Sequence, residues 1–342
     1  MNQTKQMQTF TFVWKIILII IPIIFAFFAL CIGRISYSVS DIWNVLVSKI
    51  TNSNLEIDKQ ISMIIWNIRL PRIFMAMLVG AGLSVAGCAF QSLFSNPLAT
   101  PDTLGVASGT SFGAALALLL GCNLIGVQAI AFVFGILAVI LTWLSSVGKS
   151  SSGLSSVVLA GIMIGSLFSA LISLVKFTAD TESQLPAITY WLMGSLSSAG
   201  FSSLQIGAPC IIITVLLLYL IRWQLNILPL GEDEARSLGS NIQLLRIITI
   251  LCATAMTASS VAMCGQVGWI GLLIPHICRM LFGNNHRALI PACISFGASF
   301  LVIVDTMARS ISASEIPISV LTAVIGAPFF IILMRKTGGW KI

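Results

Sequence analysis

Leu228-Pro229-Leu230-Gly231-Glu232-Asp233-Glu234-Ala235-Arg236-Ser237-Leu238-Gly239 is a dense polar island in a chain that is otherwise nearly free of charge. Four of the five residues from Glu232 to Arg236 are charged, against 8% of the whole sequence. Uncharged runs flank the island: 39 residues from Ser183 to Ile221 before it, and 32 from Ile247 to Cys278 after Arg246. An element this polar between runs that suit lipid is held outside the bilayer, where another molecule can meet it. Glu232, Asp233 and Glu234 belong in the first turn of a short helix, where carboxylates suit the positive end of the dipole, and Gly239 supplies the stop. Leu230, Ala235, Leu238, Ile242 and Leu245 recur at helical spacing and would tether that helix.

Working outward, 57% of the 342 residues are hydrophobic and the mean hydropathy is +1.02. Soluble domains carry roughly three times this charge density. The chain is read as an all-α integral membrane protein and as one transmembrane domain over residues 1–342. Ten spans are expected near 13–33, 70–92, 98–120, 126–147, 154–176, 190–222, 243–263, 267–284, 287–308 and 315–335, since a crossing needs about 20 apolar residues. The first is read as a retained helix, because no small-residue cleavage pattern follows it before Arg34. Thr103 to Gly148 is uncharged and too long for one helix, and Gly105, Gly109, Gly113 and Gly121 offer places to break it. A short helix near Ile188–Ser195 is expected before the sixth span. Broken helices survive in membranes only against protein or water, so they hint at a translocation route.

Basic residues set the orientation. With the N-terminus inside, the cytoplasmic side holds eleven Lys and Arg against four acids, and the outside seven against seven. Both termini are therefore expected in the cytoplasm. The net charge of +7 reflects topology and gives no reason to invoke nucleic acid. Ser84-Val85-Ala86-Gly87-Cys88 is echoed by Ser260-Val261-Ala262-Met263-Cys264, an inverted repeat of the kind common in transporters. The glycine pairs Gly109 with Gly113 and Gly161 with Gly165 are read as close-packing positions.

Catalytic and metal chemistry find little support. The eight cysteines lie mostly in apolar runs and are read as packing residues. His276 is read as structural, since the other histidine, His286, is ten residues away, and no metal site is expected. Gly148-Lys149-Ser150 echoes the end of a phosphate loop, but Trp143 stands where the motif needs glycine. Asp102, Asp305 and Glu315 lie near helix ends, which argues against an ion-coupled carrier, whose ionisable group belongs at mid-membrane.

Leu228–Gly239 resembles the cytoplasmic coupling loop of ATP-binding-cassette importers, with Glu234-Ala235 and Gly239 at the shared spacing. Four further strings follow in order: Ile68-Arg69-Leu70-Pro71-Arg72; Asn96-Pro97-Leu98-Ala99 with Leu104-Gly105-Val106; Gly268-Trp269-Ile270-Gly271-Leu272 running into Ile274-Pro275-His276; and Glu315-Ile316-Pro317 with Gly326-Ala327-Pro328. Together they are similar to permeases for iron-siderophore complexes, haem and cobalamin, from about Trp66 to Met334.

That resemblance implies a type II ABC importer permease fold with ten transmembrane helices and a cytoplasmic coupling loop at about 228–241. It implies that Leu230, Gly231, Glu232, Glu234, Ala235, Arg236, Leu238 and Gly239 couple to ATPase subunits. It implies that Arg69, Arg72 and Arg309 dock an extracytoplasmic substrate-binding protein, and that Ser155 and Ser156 line an inner gate. Asp305, four residues before Arg309, is expected as its intrahelical partner. The further partners implied are a second permease copy, the same or a paralogue, and the lipid of the inner cell membrane. ATP and Mg belong to the partner ATPase, so no cofactor is expected on this chain. The expected cargo is ferric siderophore, with cobalamin, haem and an oxyanion as alternatives within the family.

Overall fold

The computed structural model describes residues 12–51, 58–146, 154–230, 232–312 and 314–336. Lys5, Asn54, Glu56, Gly148-Lys149-Ser150, Ser151, Ser152, Gly231 and Lys341 lie outside these residues. Among the described residues the chain is all helical. Helix α1 spans Phe12–Cys31, α2 Val39–Thr51 and α3 Lys59–Ile64, which continues through a π-turn at Ile65–Arg69 into α4, Leu70–Leu93. Pro71 accounts for the π-turn, because its missing N–H and its ring force the preceding backbone to widen. A 3-10 turn at Pro101–Leu104 leads into α5, Val106–Leu119, followed by α6, Leu124–Ser146, and α7, Leu154–Thr178. Then come α8, Gln184–Leu192; α9, Phe201–Leu220; α10, Glu232–Ser237; α11, Ile242–Cys264; α12, Ile270–Phe282; α13, His286–Ile311; and α14, Ile318–Lys336.

Seven helices are long and apolar enough to cross a membrane, and α5, α12 and α14 contribute three shorter apolar segments. These are the ten segments expected, with three shortened: the third, the sixth and the eighth, where α12 holds 13 residues against the 267–284 expected. The third was expected over 98–120, but α5 holds 14 residues and reaches only about 21 Å at 1.5 Å per residue, against roughly 30 Å of hydrocarbon. Two glycines end it. Gly105 enters at φ +73 and Gly121 leaves at φ +70, both left-handed positions that favour glycine. The sixth span, expected from 190, begins at Phe201, because α8 stops at Leu192 and Gly194 turns the chain at φ +75. Ser195 N–H then donates to Cys264 O at 2.8 Å, and Gly194 O accepts from Ile318 N–H at 3.0 Å. This polar backbone is satisfied by the ends of α11 and α14, as a non-helical segment at membrane depth must be.

The most buried spans are α4, α11 and α13, while α1, α6, α7 and α9 present large aliphatic side chains outward. In water such a surface would drive association; in lipid it is solvated. Close crossings rest on glycine. A Cβ on Gly80 would run into Gly297 O of α13, and one on Gly87 into Gly271 O of α12. Gly109 and Gly113 face α6, where a Cβ would meet Phe134 O and Ile130 O, each at 2.8 Å, and Gly161 faces Thr103 O. The two strings of the repeat lie in neighbouring helices, α4 and α11, and are buried throughout. All eight cysteines are free thiols.

One short helix was not expected. Helix α2 starts at a capping box in which Asp41 N–H donates to Ser38 Oγ at 3.1 Å and Ser38 Oγ–H donates to Asp41 Oδ2 at 2.6 Å. It buries Ile42 and Val45 while Trp43 stays 60% exposed.

Candidate functional site

The charged island forms α10, and its end is a Schellman motif. Gly239 N–H donates to Arg236 O at 2.9 Å and Ser240 N–H to Ala235 O at 3.2 Å, with Gly239 at φ +71. Asp233, Glu234 and Arg236 are exposed, and Ala235 alone turns inward, fully buried. Ile242 and Leu245 are buried with it, and Leu230 is half-buried. Leu238 departs from the expected tethering stripe: it is 59% exposed, because the left-handed turn at Gly239 ends the helical register just after it. Glu232 opens the helix.

The root of this loop is held by a network that sequence reading missed. Asn226, in the 3-10 turn Gln224–Ile227, accepts at Oδ1 from His286 N–H at 3.0 Å and from His286 Nδ1–H at 2.9 Å. His286 Nε2 faces Ser92 Oγ at the end of α4. Beside it Arg279 donates to Gln91 Oε1, and Gln91 Nε2 donates to Gly271 O at 3.1 Å. The turn that precedes α10 is thereby bonded to the start of α13 and, through His286, to the end of α4, beside the bonds between α4 and α12. His286 is held by these bonds, and His276, the histidine read as structural, packs edge-on against Phe330 at 5.9 Å.

At the other end of the bundle, Arg69, Arg72 and Arg309 come together, but they point inward. Their exposures are 5%, 7% and 7%, so the basic rim expected for docking is not presented at the surface. Each guanidinium has an internal partner. Arg72 donates from Nε to Asp305 Oδ1 at 2.9 Å and from Nη1 to Glu315 Oε1 at 2.9 Å, bridging α4, α13 and the segment before α14. Arg69 donates to Leu30 O and Ile35 O and lies over Tyr37 at 4.7 Å, and Arg309 donates to Ala29 O. Arg69 and Arg309 thereby satisfy carbonyls in the last turn of α1, where positive charge also suits the dipole, and Arg69 reaches Ile35 O just beyond it. Asp305 does reach Arg309, at 3.8 Å, but its closest partner is Arg72 at 2.8 Å, from a different helix. The physical reason for the inward turn is the depth of Asp305, 1% exposed, which needs a buried cation.

Ser155 is exposed and Ser156 half-buried, at the start of α7. Farther along, the exposed hydroxyls of Ser166, Ser169 and Ser173 share one face, each returning its proton to its own helix at 2.9–3.1 Å. The separated strings of the sequence also meet. Trp269, left-handed at φ +70, opens α12 and packs on Gly326, where a Cβ would contact its ring at 3.0 Å. Pro101 Cδ lies against Gly271 on the same side. Among the described residues no cluster of His, Cys, Asp or Glu could hold a metal.

Against known proteins, the FecCD transport family matches residues 18–336. The chain is 41% identical over 319 residues to the molybdate import system permease protein MolB of Haemophilus influenzae, covering 93% of this chain and 94% of that protein. It is 35% identical to a probable iron chelatin transport system permease protein of Helicobacter pylori, covering 93% and 96%. A solved structure described as an inward-facing conformation of a putative metal-chelate type ABC transporter superposes with a TM-score of 0.84 at 38% identity, over 94% of this chain and 98% of that one. PsaBC from Streptococcus pneumoniae, at TM-score 0.58 and 19% identity, speaks to the fold alone. The fold is that of type II ABC importer permeases.

Proposed function

The chain belongs to the FecCD transport family and is a multi-pass membrane permease of an ABC importer, a transport subunit and not an enzyme; on that premise we propose that it carries a metal chelate, ferric siderophore first, delivered by a substrate-binding protein and driven by a separate ATPase. The observation that supports the drive is α10, whose outer face offers Asp233, Glu234, Arg236 and Leu238 to a partner while its root is bonded to α4 and α13. ATP and Mg are held by that partner. The permease works as a pair, either two copies or this chain with a paralogue, in the inner membrane with both termini cytoplasmic. Ser155 and Ser156 stand at the inner end of α7, where a gate would close the pathway. The substrate-binding protein meets the outer face; with Arg69, Arg72 and Arg309 bonded internally, their role is to hold the outer helix ends in the shape it meets. The exposed Asp180, whose carboxylate is held below its usual range by hydrogen bonds from Ser183, belongs to that outer face.

A second cargo, molybdate, is favoured by the 41% identical relative. Competing uptake separates the two. Cells or vesicles holding the complete transporter are given radioactive iron as a siderophore complex and radioactive molybdate in turn. Accumulation of the iron complex, undiminished by excess molybdate, is expected. Accumulation of molybdate alone transfers the assignment to the oxyanion.

A further inference from the structure

We propose that the groove between α1, α4, α9 and α13 binds one anionic glycerophospholipid, with its head group at Lys15, Arg222 and Arg287. The groove encloses about 860 Å³. Its walls are apolar, built from residues such as Pro22, Leu78, Ala208, Ile212 and Ala298, and no carboxylate lines it. All three cations gather at one end, because Lys15 lies at the start of α1, Arg222 just past the end of α9, and Arg287 at the start of α13. Trp14 and Trp223, 47% and 48% exposed, flank the same end, as aromatic residues do at the head-group level.

None of these cations has an acidic partner among the described residues. Arg222 donates from Nη1 to Tyr219 O at 2.6 Å and stacks over the Tyr219 ring at 4.1 Å, while its Nε is buried without a hydrogen-bond partner. Arg287 lies 6.0 Å from the Trp223 ring. Three like charges brought together beside hydrocarbon repel one another unless an anion joins them. A phosphodiester supplies that anion, and two acyl chains fill the trough below it. Basic pockets between transmembrane helices select acidic lipids in this way. A zwitterionic lipid brings its own ammonium group, which the three cations oppose. Arg222 leads directly into the turn that roots α10, so the head group would brace the base of the coupling loop.

The test uses the full-length chain with its ATPase, in detergent, observed by native mass spectrometry. Phosphatidylglycerol and phosphatidylcholine with the same acyl chains are added in equal amounts. The wild type is expected to retain one phosphatidylglycerol with about tenfold preference or more, since each charge near the surface brings roughly a fivefold factor. In Lys15→Gln/Arg222→Gln/Arg287→Gln the preference should fall below about twofold. Lys176→Gln, which removes a charge from the far end of α7, should leave it unchanged. Ala208→Phe fills the trough while keeping every charge and should abolish retention of the lipid. If the triple variant does not fold, Lys15→Gln alone, at an exposed position, should still lower the preference severalfold. Equal retention of the two lipids by the wild type overturns the proposal. So does loss in Lys176→Gln as large as in the triple variant, or displacement of the lipid by inorganic phosphate in wild type and Ala208→Phe alike, which would mark a simple anion site.

Discussion

Replacing Ala235 with proline is expected to reduce ATP-driven uptake to background while the permease still folds and still retains its lipid-facing helices. Ala235 is fully buried, the inward-facing residue of a helix only six residues long, and its carbonyl closes the Schellman motif with Ser240. Proline within a helix costs about 3 kcal/mol or more, which a single supported turn cannot absorb. The rest of the bundle should lose little, because α10 packs chiefly against α11. Hydrolysis by the partner ATPase should continue at its basal rate but lose its stimulation by loaded binding protein. Uptake and phosphate release measured on the same proteoliposomes check this. Wild-type uptake with stimulated hydrolysis in Ala235→Pro would remove α10 from the coupling path. Reversing charge at Glu234 and Arg236 together is the milder form of the experiment, since both side chains are exposed and neither holds the fold.

Changing Arg72 to methionine is expected to have the larger effect on stability. Arg72 is the shared partner of Asp305 and Glu315, and Asp305 is 1% exposed. Removing one member of a buried ion group leaves the other charge uncompensated, at a cost of about 3–5 kcal/mol. Folded yield and thermal unfolding in detergent should both drop sharply. Changing Asp305 to asparagine and Glu315 to glutamine in the same chain should restore part of the loss, because neither carboxyl is then left as an uncompensated charge; the restoration is partial because Arg309 also loses its contact with Asp305. The wild-type melting temperature should move little between low and high salt, since buried charges are weakly screened. A docking role at an exposed rim predicts the reverse pattern: unchanged stability in Arg72→Met and a salt-dependent fall in the association rate of the binding protein.

Much of this was legible before the fold was seen. Uncharged runs of about 20 residues announce spans directly, because lipid tolerates neither open backbone nor free charge. The island at Glu232–Arg236 stood out for the same reason, and its helix and glycine stop follow from local capping chemistry. The ion group of Arg72, Asp305 and Glu315 was legible only as separate residues. Arg72 meets Asp305 across 233 positions and Glu315 across 243, and spacing within a helix pointed instead to Arg309 as the partner of Asp305. Asn226 and His286 are likewise 60 residues apart, and nothing local marks either as a partner. Glycines were ambiguous for a further reason. Gly105, Gly109, Gly113 and Gly121 share a run, yet the first and last break the helix while the middle two let α6 approach, a distinction set by what packs against them. Ser38 and Asp41, three apart before an apolar stretch, did carry a readable capping box for α2.

ATP hydrolysis by the partner, acting through α10, is expected to drive the cargo across this chain. Proteoliposomes containing the permease, its ATPase and loaded binding protein test it most directly, with ATP supplied on the side that bears α10. Uptake that starts with ATP, stops when ATP is withheld, and ignores imposed proton or sodium gradients is the predicted result. Uptake that runs on an ion gradient without ATP would contradict the account and make the chain an ion-coupled carrier.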